Sequence, residues 1–282
     1  MKLQMIYSFY VADNECNNLV YKLHYKMIER YSNIFDKIIM IIVYDGNYND
    51  DIIYRIRSKI ISICKCKDLK IIFEHNNHNY REGIIFKKYI IDKLESYDDY
   101  ITFFGHTKGI TNKDGLNNID NLLRWIYCMY ELNFTWINEV KEKLTTYSMS
   151  NDNKYISYGS LYFKDYRHNN VNNWFYSGSF FWLNTRKLYN HIKENNINIL
   201  PFISEEGEKL KRCAELFIGS CIDSNHAGFH YDERYNKETN FFNIYGWEFS
   251  YNHIEELIKK YLNLWEYEKL NKNYNETINN LS

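Results

Sequence analysis

The fold is decided by the segment Lys37-Ile38-Ile39-Met40-Ile41-Ile42-Val43-Tyr44, an almost continuous apolar run rich in β-branched residues. The sequence Asp45-Gly46-Asn47 follows at once, and these residue types favour turns. A short run that is apolar throughout predicts a strand covered on both faces, whereas a half-exposed strand would alternate. The segment therefore predicts one strand of a buried, parallel sheet.

The same pattern recurs on both sides of this segment. Leu3–Val11, Leu69–Phe73 and Tyr100–Phe104 are further short apolar runs. Between the runs, apolar residues recur at helical spacing: Leu19, Val20, Leu23, Met27 and Ile28; Ile52, Ile53, Ile56, Ile60 and Ile63; Ile84, Ile85, Ile90, Ile91 and Leu94. Strands alternating with helices predict an α/β, Rossmann-like fold, with a mostly parallel sheet and helices on both faces.

The second half of the chain has a different, α+β pattern. Helical spacing runs from about residue 119 to 144, Tyr155–Phe163 and Phe175–Leu183 are typical of strands, and Cys213–Ile222 of a short helix. Ile254–Trp265 predicts an amphipathic helix, with a polar tail after it. No linker or shift in composition separates the halves. We therefore expect a single domain over residues 1–282, formed by a strand–helix half (1–115), an α+β half (116–250) and a carboxy-terminal helix and tail (251–282).

The composition argues against several classes of protein. A formal net charge of -1 disfavours a general nucleic-acid binder, which needs a basic face. The six cysteines include no second pair at zinc-ligand spacing, a pattern that suits a reducing compartment. The longest apolar run is far below the roughly 20 residues that span a bilayer, and no signal peptide is recognisable. We expect a cytoplasmic protein without a transmembrane segment.

Candidate ligand-binding residues follow the predicted strands, because open α/β sheets bind ligands beyond the carboxyl ends of their strands. The loops concerned are Tyr10–Asp13, Asp45–Asn47, Glu74–Gly83 and Gly105–Gly109. Asp45 is placed to accept hydrogen bonds from a base or ribose, and the alternative is a simple turn residue.

The loop Gly105–Gly109 is the most specific of the four. Its glycines, of which Gly109 is the last, allow close approach of a ligand to the backbone. Lys108 offers a charge for phosphate, His106 an imidazole for phosphate or metal, and Thr107 a hydroxyl. The sequence is not a Walker loop. The alternative is an ordinary turn with a solvated lysine.

The back half adds an aromatic segment with a small Ser-Gly-Ser break. Trp174, Tyr176 and Ser177 are the better site candidates, because aromatic faces stack on sugar rings. Gly178, Ser179 and Trp182 complete the set. A packed core strand is the alternative for many of these rings.

Two charged residues of the back half are further candidates. Glu215 begins an apolar helix and is a candidate general base, or else a capping or salt-bridged residue. Arg124 is a candidate partner for phosphate or carboxylate, although a structural role is the more usual one for a lone helical arginine. The pair Asp98-Asp99 precedes its strand, and His75 with His78 lacks a third ligand, so neither predicts a metal site.

The order of these motifs resembles a GT-A-type glycosyltransferase-like family of bacteria and giant viruses. The motifs are His106-Thr107-Lys108-Gly109, Arg124-Trp125, Tyr158-Gly159, Tyr176 to Trp182 and Ala214-Glu215. The resemblance implies a nucleotide-sugar donor in the front half and a glycan or other hydroxyl acceptor in the back half. If the chain is viral, the expected location is the cytoplasm of the host cell.

One departure from that family concerns the metal. Most GT-A enzymes carry Asp-x-Asp after the fourth strand to bind Mn²⁺ or Mg²⁺, whereas Gly105-His106-Thr107 stands here. Either His106 is one ligand of an unusual metal site, or His106 and Lys108 neutralise the diphosphate without metal.

The resemblance also implies a division of roles. We expect Tyr10 and Asp45 to hold the nucleotide and Glu215 to deprotonate the acceptor in an inverting transfer. The sugar and acceptor side is expected to consist of Tyr176 to Ser179 and Trp182. Two alternatives remain: a non-catalytic module that binds a nucleotide sugar or glycan, and a nucleotidyltransferase.

Overall fold

The computed structural model describes residues 1–11, 17–46, 50–77, 82–96, 100–107, 119–145, 155–159, 162–164, 174–176, 179–200, 213–229 and 264–281. The strands are β1 (Lys2–Tyr10), β2 (Lys37–Tyr44), β3 (Leu69–His75), β4 (Tyr100–His106), β5 (Ser157–Gly159), β6 (Tyr162–Lys164), β7 (Trp174–Tyr176), β8 (Phe181–Asn184) and β9 (Ala227–Phe229). The α-helices are α1 (Asn17–Tyr31), α2 (Asp50–Ile63), α3 (Glu82–Tyr89), α4 (Ile119–Phe134), α5 (Ile137–Thr145), α6 (Thr185–Glu194), α7 (Cys213–Cys221) and α8 (Leu264–Asn279).

Seven strands form one sheet in the order β3-β2-β1-β4-β8-β5-β9. The first four are mutually parallel, β8 runs antiparallel to both β4 and β5, and β9 is parallel to β5. Strands β6 and β7 form a separate antiparallel pair. The predicted α/β class and the mostly parallel, Rossmann-like sheet are therefore confirmed.

Alternate residues of the central strands enter two different cores. Leu3, Met5 and Tyr7 of β1 belong to a cluster with buried residues of α1, α2 and α4. Ile6, between them, belongs to a second cluster with residues of α3, α6 and α7. Both faces of the sheet are covered, which explains why the strands read as continuous apolar runs.

The helical pattern over residues 119–144 is divided into α4 and α5. Thr135 and Trp136, between the two helices, are exposed. Near the end of α4, the carbonyl of Asn133 accepts a hydrogen bond from Nε1 of Trp182 at 3.1 Å. The last carbonyls of a helix lack hydrogen-bond partners inside the helix. The indole of Trp182 supplies a partner for the carbonyl of Asn133, which in one continuous helix would accept from a backbone N–H of the next turn.

The described part of the carboxy-terminal helix extends beyond Trp265, where the sequence predicted a polar tail. Helix α8 occupies most of the stretch expected to be a polar tail, and residues 254–263 lie outside the described residues. Tyr274 of α8 is buried and contacts the ring of Tyr127.

Within the described residues, no helix combines the length and the hydrophobicity needed to cross a bilayer.

Candidate functional site

The carboxylate of Asp45 is bound by two side chains from the ends of neighbouring strands. The hydroxyl of Tyr10, at the end of β1, donates to Oδ2 of Asp45, after β2, at 2.7 Å. Nδ2 of Asn76, after β3, donates to Oδ1 of Asp45 at 2.9 Å. Both oxygens of the carboxylate are thus held by side chains from the neighbouring strand ends. The two bonds fix the plane of the carboxylate, and its side chain is only partly buried.

Thr107 extends this cluster to the fourth strand. Its Oγ1 accepts a hydrogen bond from the backbone N–H of Tyr10 at 2.8 Å, and its own N–H donates to the carbonyl of Ser8 at 3.0 Å. Oγ1 is the acceptor in the first bond, so the hydroxyl of Thr107 keeps its capacity to donate, in a residue that is 3% exposed.

The sheet order explains why these residues lie at a binding site. From β1 the chain builds outward to β2 and β3, and it then crosses back to place β4 on the other side of β1. The strands that follow β1 and β4 in the chain therefore lie on opposite sides of this pair, an arrangement that favours a ligand-binding crevice at their carboxyl ends. The bond between Tyr10 and Thr107 joins these two strand ends.

His106 is the last residue of β4, with only 9% of its surface exposed. Continuing the pairing of β4 with β8 by two residues beyond Phe104 and Phe181 aligns His106 with Ser179. The ring of Phe180 lies 6.0 Å from that of His106, centroid to centroid. The structure thus brings Ser179 to the same end of the sheet as the described front-half strand ends.

Ser179 has an unusual conformation at this edge. Its φ of 56° lies in the left-handed region, which is uncommon for a residue other than glycine. Its hydroxyl is buried and has no hydrogen-bond partner in the part of the chain that the structure describes. Backbone strain and an unsatisfied buried hydroxyl are features that cluster at functional sites.

The three large aromatic candidates of the back half lie in the core. Nε1 of Trp174 donates to the carbonyl of Ile222 at 2.9 Å. The hydroxyl of Tyr176 donates to the carbonyl of Gly228 at 2.9 Å. Trp182 is fully buried and bonded to α4 as described above. Their polar atoms donate to backbone carbonyls and their rings have almost no exposed surface. The structure therefore agrees with the alternative interpretation, in which these rings belong to packed core strands. We assign them no ligand contact.

Arg124 is directed at α8 rather than at the strand ends. Its guanidinium lies over the ring of Tyr274, 4.5 Å from the centroid, and its Nη1 donates to Oδ1 of Asn271 at 3.3 Å. These contacts attach the carboxy-terminal helix to α4, which is the structural role that the sequence left open.

The structure does not describe the site-forming groups of five predicted site residues. Lys108, Gly109, Ser177 and Gly178 lie outside the described residues, as does the side chain of Glu215, whose backbone belongs to α7. Their roles remain predictions.

A buried polar cluster supports β1 beneath the crevice. The hydroxyl of Tyr7 lies 2.8 Å from Nδ1 of His24 and 2.6 Å from the hydroxyl of Tyr130, so it links β1 with α1 and α4. Removal from water raises the pKa of both tyrosines well above the ordinary value. Both rings are therefore neutral at physiological pH and act as hydrogen-bonding supports.

Sequence reasoning did not single out Asn76, although it included the loop that contains this residue. The only local signal is an amide directly after a strand, and Asn residues are abundant in this chain. The sequence does not show that the amide reaches the carboxylate that follows β2.

Two other features of the molecule bear on where a site could lie. No group of three or more His, Cys, Asp or Glu side chains at metal-binding distance exists within the described ranges. A groove of about 870 Å³ runs along α2, lined by Asp51, Tyr54, Arg55, Ser58, Lys59 and Ser62. None of those residues follows a strand, so we assign the groove no chemistry.

The fold and the site define an α/β protein with a Rossmann-like sheet and polar side chains at the point where its strand order reverses. Comparison with protein-family models and with curated proteins found no match to this chain.

Proposed function

We propose that the chain is a glycosyltransferase, which moves a sugar from a nucleotide-sugar donor to a hydroxyl group of a glycan or other acceptor. One observation carries the proposal: Asp45, oriented by Tyr10 and Asn76, lies at the same strand-end edge as Thr107. A fixed carboxylate at the carboxyl ends of parallel strands suits the N–H or O–H donors of a nucleoside. The motif order of the sequence supports the transferase class.

The described residues suggest how a donor would be held. Asp45 accepts from an N–H of the base or from a ribose hydroxyl, and Tyr10 and Asn76 keep its oxygens in position. Thr107 donates to a phosphate oxygen on the β4 side of the crevice. His106, beside it, contributes an imidazole to the same group.

The chemical step is a displacement at the anomeric carbon of the sugar. The acceptor oxygen forms a bond to that carbon while the bond to the diphosphate oxygen breaks, and the acceptor proton passes to Glu215. His106 and Lys108 stabilise the negative charge that collects on the leaving diphosphate, which is the kind of interaction that usually contributes most to catalysis. Attack from the side opposite the leaving group gives inversion.

We assign no step to a divalent metal. The described part of the β4 end offers an imidazole from His106 and a hydroxyl from Thr107, whereas Mg²⁺ and Mn²⁺ favour carboxylate and other oxygen ligands. This donor set fits direct neutralisation of the diphosphate better than a protein-held metal.

The first experiment is calorimetric titration with nucleoside diphosphates and nucleotide sugars, with and without Mn²⁺. We expect one nucleotide to bind, and Asp45→Asn to weaken its binding about tenfold or more, because hydrogen bonds to a charged group are among the stronger ones. Asp50→Asn removes the same charge from the exposed first turn of α2 and serves as the control. No binding of any nucleotide, or equal binding by both variants, would contradict the proposal.

Transfer is then measured with the nucleotide sugar that binds and a panel of acceptors. Release of nucleoside diphosphate that depends on acceptor supports a transferase. Binding without transfer or hydrolysis would instead identify a non-catalytic module. Release of pyrophosphate from a nucleoside triphosphate and a sugar phosphate would identify a nucleotidyltransferase.

A further inference from the structure

Strand β3 ends the seven-stranded sheet and leaves one edge open. It pairs with β2 in unbroken register from Leu69 to His75, without a bulge or a proline. Among the described residues, no strand pairs with its other side. Phe73 in the middle of this edge is 42% exposed. A regular edge of this kind is a template for pairing with another strand.

The main-chain groups that point outward can be identified from the bonds to β2. The carbonyl of Asp68 accepts from Ile38, and the N–H of Asn76 donates to Tyr44, at 2.8 and 2.7 Å. Main-chain groups alternate in direction along a strand, so those of the even-numbered residues of β3 point toward β2. Those of the odd-numbered residues, Leu69, Ile71, Phe73 and His75, point outward.

The sequence of this edge is complementary to itself when two copies run antiparallel about Ile72. Ile71 then stands opposite Phe73 of the second copy, and Leu69 opposite His75 of the second copy. All four outward-pointing residues fall at hydrogen-bonded positions, while Ile72 faces its own equivalent at a non-hydrogen-bonded position.

The charges on the strand match in the same register. Lys70 stands opposite Glu74 of the second copy, and the two-fold symmetry repeats the pair. Lys70 is exposed, and Glu74 is partly exposed. Glu74 already binds Lys88 and Tyr89 within its own chain, both through Oε1, so Oε2 is the oxygen directed to the added pair. Opposite charges directly across a strand pair stabilise it, and like charges destabilise it.

We propose that the chain forms a two-fold symmetric dimer through antiparallel pairing of β3 with β3 of a second copy, centred on Ile72. The two sheets join into one continuous sheet of fourteen strands, twice the seven in each chain. Because the paired strands are antiparallel, the carboxyl ends of the strands point in opposite directions in the two copies. The two candidate sites lie at opposite strand ends of the joined sheet. Dimerisation therefore leaves both crevices accessible.

Sedimentation velocity of the full-length chain tests the association over about a hundredfold range of concentration, because the dimer fraction depends on the protomer concentration. We expect the wild-type chain to sediment as a dimer at the upper end. Lys70→Glu is expected to weaken dimerisation about tenfold or more, since two attractive pairs become repulsive at once. Lys67→Glu makes the same charge change before the strand and is expected to dimerise like the wild type.

The double variant Lys70→Glu with Glu74→Lys tests the pairing directly. It reverses both charges, so it restores an attractive pair in the proposed register and is expected to recover most of the dimer. Failure to recover in a double variant that remains folded, as judged by its circular dichroism spectrum, would overturn the register.

A cross-link tests the position of the two-fold axis. In an antiparallel pair, residues facing each other at a non-hydrogen-bonded position have Cα atoms about 4.5 Å apart, which is within reach of a disulfide. Ile72→Cys is therefore expected to give an oxidised dimer linked through residue 72. Ile71→Cys is the control, because residue 71 faces residue 73 of the second copy.

A chain that stays monomeric at every concentration would overturn the proposal, including the case in which β3 binds a strand of another protein. A dimer whose affinity is unchanged by Lys70→Glu, and which Ile72→Cys does not cross-link above the level of Ile71→Cys, would place the interface elsewhere.

Discussion

The hydroxyl of Tyr10 donates a hydrogen bond to Oδ2 of Asp45 at 2.7 Å, which joins the carboxyl ends of β1 and β2. The two residues are 35 positions apart in the chain. Their pairing makes one carboxylate oxygen point in a fixed direction at the edge of the crevice, and a ligand that uses Asp45 benefits from this orientation.

Removal of the Tyr10 hydroxyl tests this relationship. We expect Tyr10→Phe to weaken binding of the donor nucleotide about tenfold, because a carboxylate without its orienting hydrogen bond must be ordered by the ligand itself. Calorimetric titration measures the change. Tyr54→Phe is a matched control, since Tyr54 is 62% exposed on α2. Unchanged affinity in Tyr10→Phe would mean that Asp45 does not contact the nucleotide through this arrangement.

The contact between α7 and β7 predicts a large effect of a single methyl group. A Cβ at Gly219 would lie 1.8 Å from the backbone oxygen of Trp174, so one of the two backbones must move. We expect Gly219→Ala to lower the free energy of unfolding by about 1–3 kcal/mol, the usual range for overpacking. Ser220→Ala, at the exposed neighbouring position, is expected to change it by less than about 0.5 kcal/mol. Denaturant titration measures both, and equal stability of the two variants would contradict the close contact.

The contact of Arg124 with Tyr274 predicts that this arginine stabilises α8. We expect Arg124→Met to increase hydrogen exchange in residues 264–281, because a cation–π contact contributes about 0.5–2 kcal/mol and is lost. Nucleotide affinity is expected to stay the same. Arg55→Met, on the exposed side of α2, is the control. Loss of nucleotide affinity without faster exchange would instead support a phosphate-binding role for Arg124.

The contact between two histidines predicts an acid-sensitive region next to β9. The rings of His191 and His226 lie 5.0 Å apart, centroid to centroid. Burial and the neighbouring His226 lower the pKa of His191 below the ordinary value of 6.5. The unfolded chain therefore binds a proton at His191 more readily than the folded chain. Stability from this residue is complete above pH 6.5 and decreases as the pH falls from there toward the lower pKa of the folded state.

We expect the melting temperature of the wild type to fall over that range, and less steeply in His191→Gln. A series of thermal melts between pH 7.5 and pH 5 measures the two slopes. Identical slopes in wild type and His191→Gln would show that this histidine does not contribute to acid sensitivity.

The order of elements in the front half was predictable from local pattern alone. The predicted segments Leu3–Val11 and Leu69–Phe73 correspond closely to β1 and β3. Helix and strand periodicities depend on neighbours within a few residues, and an apolar run ending in a turn such as Asp45-Gly46-Asn47 marks its own boundary. Boundaries in the back half were less predictable, because the aromatic segment contains both β7 and β8 in two different sheets.

The candidate site was predictable only to the level of its loops. Asp45 and Thr107 were identified because parallel strands place their carboxyl ends at one edge. Which aromatic rings face a ligand could not be decided from the sequence, because an exposed and a buried tryptophan fit a strand pattern equally well. Trp174 and Trp182 are buried, and each donates its indole N–H to a backbone carbonyl far away in the chain.

The sequence by itself determined the alternation of strands and helices, the double coverage of the central strands and the edge of the sheet at which polar loops gather. These properties follow from short-range spacing of apolar and turn-forming residues. Only the tertiary structure decided that Asn76 reaches Asp45, that Arg124 packs on Tyr274 and that β3 is the last strand of the sheet among the described residues. Such contacts join residues dozens to more than a hundred positions apart, and they depend on how the strands are ordered in the sheet, which no local pattern records.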